Sequence, residues 1–179
     1  MDDSPEYVER VVDETGAQTE AWARTIEDME AIAEQRREDG WDVVTLTTAH
    51  TAPISRADND NPDRFGLVTV LPDNYAERFQ TVYEDNDLDQ YQVYSNTVEG
   101  FKYLVLEVLD FDTETSVMLA LRYDLVLAPG MVESVHDEET MYTYVKTIDG
   151  TELAVFEHEE YDPLLPEGPR LPDDGRSRE

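Results

Sequence analysis

Apolar residues along this chain switch between two spacings. Between about Thr19 and Asp39 they recur as Trp22, Ile26, Met29 and Ala33, widened by Ala21 and Ile32. Those steps of three and four place them on one stripe of an amphipathic helix. Arg36 and Arg37 fall in its last turn, where cations oppose the helix dipole, and Gly40 follows where a helix commonly stops. A shorter helix is expected over residues 3–14, with Tyr7, Val8, Val11 and Val12 on one side and Gly16 as its end.

From Trp41 onward the spacing drops to two, the period of a strand. Alternating or continuous apolar runs occupy residues 41–48, 65–71, 91–98, 101–110, 116–127, 141–148 and 151–158. A helix between Pro72 and about Asp85 carries Tyr75, Phe79 and Val82 on one face, and a short one over Met131–Glu139 carries Met131, Val132 and Val135. Glu99-Gly100 and Asp149-Gly150 read as hairpin turns. Residues 49–64, rich in Pro, Asn and Asp, read as a long loop. The run from Phe101 to Leu127 is the most apolar, and both faces of its first strand are apolar, so it should lie inside a sheet covered on both sides. Strands joined by short turns imply an antiparallel arrangement. The expected fold is α+β: a mainly antiparallel sheet of about seven strands with about three helices packed on it, in the order α-β-β-α-β-β-β-α-β-β. Residues 1–162 would form a single domain, and residues 163–179 a Pro-rich, acidic, poorly ordered tail.

Charge changes the picture of where such a fold would work. Of the 179 residues 43 are Asp or Glu and 13 are Lys or Arg, a net charge of −30, and only two are lysine, Lys102 and Lys146. The acids are spread over the foldable pattern and not gathered in one tail. Such a surface repels itself in dilute salt, while at about 1 M salt the Debye length shrinks to about 3 Å and the repulsion is screened. The expected milieu is a potassium-rich cytoplasm. No basic stripe is present, so nucleic-acid binding is not expected. No apolar run is long enough to span a bilayer, and the acidic start is unlike a signal peptide, so no membrane association is expected. The chain has no cysteine, which removes disulfides and thiolate chemistry.

Candidate chemistry is sparse. There is no Gly-rich phosphate loop, no Gly-x-Ser-x-Gly and no paired-histidine metal motif, so no catalytic residue and no cofactor is assigned. Arg122 and Asp124 stand in the most apolar strand; Arg122 either pairs with an acid across the sheet, such as Glu107, or faces a pocket. His50, Arg56 and Arg64 belong to or flank the 49–64 loop and offer an anion site. His158, beside Glu157, Glu159 and Glu160, is the candidate metal ligand. In each case the plainer alternative is a salt bridge or a solvated surface.

The runs REDGWDVVTL (37–46), DRFGLVTVLPDN (63–74), and MYTYVKTIDGT before FEHEEYDP (141–163) are similar to a family of small acidic proteins of halophilic archaea that is a domain of unknown function. The resemblance spans residues 19–162 and implies no activity, ligand or site residue. The expected role is therefore a non-enzymatic cytoplasmic domain that binds another protein or a second copy of itself. The alternative is a small-molecule-binding domain or hydrolytic enzyme with its site near the 49–64 loop and Arg122.

Overall fold

The structure, a computed structural model, describes residues 16–58 and 60–167. The helix expected over 3–14 and the tail from residue 168 on lie outside the described residues. Within them run α1 (Ala17–Glu38), β1 (Asp42–Thr47), β2 (His50–Ile54), β3 (Gly66–Leu71), α2 (Asp73–Asp85), β4 (Gln90–Val98), β5 (Phe101–Asp110), β6 (Thr115–Asp124), α3 (Pro129–Glu138), β7 (Met141–Thr147) and β8 (Glu152–His158). Short 3-10 turns occupy Arg56–Asp58, Leu125–Leu127 and Asp162–Leu164. The fold is α+β.

The strands form two mixed sheets of four, ordered β1-β6-β5-β4 and β2-β3-β7-β8. β1 runs parallel to β6, and β3 parallel to β7; the other pairings are antiparallel. This corrects the expected single antiparallel sheet of seven strands. The eighth strand is β2, inside the stretch that reads as a loop. Pro53 makes that stretch look like a breaker, but β2 pairs only with β3, and an edge strand tolerates a residue with no N–H. The parallel pairings join segments far apart in sequence, so no turn residue announces them.

β5 and β6 are buried on both faces, as their two-sided apolar pattern requires. On the outer face α1 lays Met29 and Ala33 on Val43, Val105, Met118 and Ala120, with Trp22, Ile26 and Trp41 at the margins. On the inner face Leu104, Leu106, Leu119 and Leu121 meet Leu67, Leu71, Val145 and Phe156 of the second sheet. Phe79 of α2 and Met131 and Val135 of α3 join that same core. Gly66 is demanded by packing between β3 and β7: its φ is +128°, and a Cβ there would lie 1.9 Å from the Tyr142 carbonyl oxygen.

One acid interrupts the outer layer. Glu107 is fully buried. Its carboxylate accepts from Arg36 Nε at 2.8 Å and Nη2 at 3.0 Å, Ser116 Oγ at 2.7 Å and Tyr94 hydroxyl at 3.3 Å. The Arg36 guanidinium also stands 5.3 Å from the Trp41 ring centre. Hydrogen bonding to Glu107 holds the Arg36 pKa above its ordinary value. A charge-assisted, bidentate pair of this kind is worth keeping only because both partners are present. Arg36→Leu should therefore cost about 3–5 kcal/mol, since it strands a buried carboxylate, whereas Arg36→Leu combined with Glu107→Leu should recover much of that loss. Urea denaturation of the wild type, both single variants and the double variant measures the coupling; additive losses would show that the pair is not coupled.

Candidate functional site

The two sheets are joined along one side and parted along the other. At the joined side Thr48 and Ala49 step from β1 to β2. The Thr48 amide and hydroxyl both donate to the Ala120 carbonyl of the first sheet, and the Ala49 amide donates to the Val70 carbonyl of the second. At the parted side the edge strands β4 and β8 face each other without pairing.

Residues 159–167 strap part of this open side. The Tyr91 hydroxyl donates to the Glu160 carbonyl at 2.9 Å and accepts from the Glu160 amide at 2.8 Å. The Tyr123 hydroxyl donates to the Leu164 carbonyl at 2.8 Å, and Leu164 and Leu165 enter the core. Glu167 accepts from Thr97 and lies 3.5 Å from the ammonium of Lys102, which is buried on the inner face of β5. Burial lowers the Lys102 pKa despite that partner.

Beside the strap lies a cleft of about 500 Å³. Leu88, Val108 and Phe156 give it an apolar lining, the Tyr83 and Tyr91 rings flank it, and Asp87, Asp89 and Glu157 supply its charge. The wall formed by residues 86–89 is pinned by Asp110. That carboxylate accepts from the amides of Asp87 at 2.8 Å, Asp112 at 2.9 Å and Thr113 at 3.3 Å, led by the Asp87 bond, and these hold it below the usual carboxylate range.

His158 ends the inward-facing row Ala154, Phe156, His158 on β8, and is fully buried in the cleft wall. Its Nε2 lies 2.8 Å from the Thr143 hydroxyl on the neighbouring strand. The Tyr91 ring meets it edge-on, 4.6 Å between centres. Its Nδ1 is the one buried side-chain polar atom among the described residues with no hydrogen-bond partner. Burial pushes its pKa down to about 4, so the ring is neutral near pH 7. An unpartnered group of this kind calls for an explanation. Strand alternation in LAVFEH carries the signal for its burial, whereas the flanking glutamates suggest a metal ligand. Glu157 accepts from Thr140 at 2.8 Å. Among the described residues no group of three or more His, Asp or Glu is placed to hold a metal ion.

The other candidate residues stand in separate settings. Arg122 stacks on Trp22 of α1, 4.7 Å from the ring centre, and Glu107 is engaged by Arg36. Asp124 accepts from the Val126 amide at 3.0 Å and caps the following turn. His50 is exposed at the start of β2. Arg56 is held against α3 by ion pairs with Asp137 and Glu138, while its amide donates to Ser134. Arg64 pairs with Glu152 and lies 4.1 Å over the Tyr144 ring.

The chain belongs to a family of unknown function, DUF7529, whose model matches residues 8–166. No curated protein and no solved structure matches it. No helix among the described residues is long and apolar enough to cross a membrane.

The state of His158 is measurable through pH. In the unfolded chain the ring takes a proton near 6.5, and in the fold only near 4. The unfolded state therefore binds more protons between these values, so this contribution is complete above 6.5 and is lost as pH falls towards 4. It amounts to about 3 kcal/mol. The urea stability of the wild type relative to His158→Phe should be flat above neutrality and decline by roughly that amount down to about pH 4. Identical pH profiles would show an imidazole that is freely protonated in the fold.

Proposed function

We propose that this protein is a non-enzymatic binding domain whose ligand is a small molecule held in the cleft between β4 and β8. The observation that carries this reading is His158 Nδ1, buried in the cleft wall with no partner. Leaving such a group unpaired costs about 1–3 kcal/mol, which a ligand able to pair with it would recover. The cleft volume of about 500 Å³ falls within the range of small-molecule sites. Nδ1 is buried, so the ligand engages it through a side-chain shift in the cleft wall, a movement common on binding. A fragment screen on the full chain by amide NMR should give saturable shifts centred on Leu88, Tyr91, Val155 and His158. Hits that map consistently elsewhere would move the site.

A second reading, self-association, is supported by the 3-10 turn after β6, where adjacent Val126 and Leu127 are 79% and 62% exposed. A second copy covering this pair would appear as a dimer in sedimentation, lost in Val126→Asp; a monomer at all concentrations would remove the reading.

The milieu we infer is a potassium-rich cytoplasm, supported by the net charge of −30. The transition temperature should rise as potassium chloride goes from about 0.1 M to about 1 M, because the Debye length falls from about 10 Å to about 3 Å. A transition insensitive to salt would argue against that inference.

A further inference from the structure

We propose that the ligand of this cleft is a small organic cation, a primary or secondary amine on an apolar body, whose N–H donates to Nδ1 of His158; this rests on the ligand-cleft reading above.

Three observations converge on that class. The first is the hydrogen-bond sense of His158. A neutral imidazole carries one N–H. With the proton on Nε2, donating to Thr143 Oγ1 at 2.8 Å, Nδ1 carries a lone pair and takes a donor; with the proton on Nδ1 it takes an acceptor. The first tautomer is the one a cationic donor selects, and the charge around the cleft favours such a donor over an anionic acceptor.

The second observation is charge. Among the described residues, Asp87, Asp89 and Glu157 are the charged ones lining the cleft, and neither Lys nor Arg lines it. Carboxylate or phosphate ligands would meet like charge with nothing to offset it, while an ammonium group meets attraction. The acids at this rim share the composition of the whole surface, so they do not by themselves mark a site. They act on whatever ligand the buried nitrogen selects.

The third is the lining. The Tyr83 and Tyr91 rings and the exposed Val155 suit the body of such a ligand. Aromatic faces also attract a nearby cation, by about 0.5–1 kcal/mol where exposed.

The test uses two probes of similar size and opposite charge, phenethylamine and hydrocinnamate, titrated into the isotopically labelled full chain in high potassium chloride. Imidazole nitrogen and tyrosine resonances are followed. Phenethylamine should shift His158 Nδ1 and Tyr91 saturably, and hydrocinnamate should leave them in place. His158→Phe, which keeps an aromatic ring against Tyr91, should weaken the amine about tenfold or more, the worth of one charge-assisted hydrogen bond. The exposed pair Asp87→Asn with Glu157→Gln, which leaves the core untouched, should also weaken it.

Equal binding of hydrocinnamate that still depends on His158 would overturn the cation and keep the ligand cleft. Amine binding undiminished in His158→Phe would overturn the assigned hydrogen bond. Failure of both probes to move any cleft resonance would sink the cation proposal, while fragment hits at Leu88, Tyr91, Val155 and His158 would keep the cleft.

Discussion

A fully buried carboxylate constrains how the first sheet is covered. Glu107 sits mid-strand on the face that α1 must cover, and its oxygens are satisfied by Arg36, Ser116 and Tyr94. Taking that charge out of water costs several kcal/mol unless a partner of opposite charge meets it in good geometry. The helix can therefore dock only in the register that brings Arg36 over Glu107. That register also lays Met29 and Ala33 on Val105, Met118 and Ala120, and brings Trp22 under Arg122. Apolar packing alone would tolerate a slide along the sheet; the ion pair does not.

With one face of β5 and β6 committed to α1, the other is committed to the second sheet, and the two sheets are tied together on one side only. Thr48 and Ala49 make that tie. On the opposite side β4 and β8 remain apart, and the strap from Glu159 to Glu167 closes part of the gap through Tyr91, Tyr123 and Leu164. What is left open is the cleft. Its wall at residues 86–89 is held by Asp110, which ends the same strand that carries Glu107. The doubly buried strand thus supports the helix at its middle and the cleft at its end.

Much of this was legible in the residues. The stripe Trp22, Ile26, Met29, Ala33 identifies α1 and the face it buries. The two-sided apolar pattern of Phe101–Asp110 identifies a strand covered on both sides. Glu99-Gly100 and Asp149-Gly150 identify hairpins. Arg36 illustrates the limit: its place in the last turn of α1 fits the helix dipole, and nothing local shows that it reaches a carboxylate 71 positions away. Arg122, conspicuous in an apolar strand, invites pairing with Glu107, yet the helix supplies an aromatic ring for one and a guanidinium for the other. His50, Arg56 and Arg64 are neighbours in sequence, but they point to unrelated elements because β2 turns their loop into a sheet edge pinned to α3.

The sequence by itself determined the three described helices, nearly all the strands, the doubly covered centre and the strongly acidic composition. These follow from local periodicity, turn chemistry and composition, which each segment carries within itself. Only the tertiary structure decided that the strands split into two sheets, that β1 and β3 pair in parallel with β6 and β7, and that the far edges stay apart. Those outcomes depend on contacts between residues distant in the chain. The cleft and the orphaned nitrogen of His158 belong to this second group. A histidine at the end of an alternating strand becomes unusual only when the opposing sheet has buried it and the neighbouring strand has given a partner to just one of its two nitrogens.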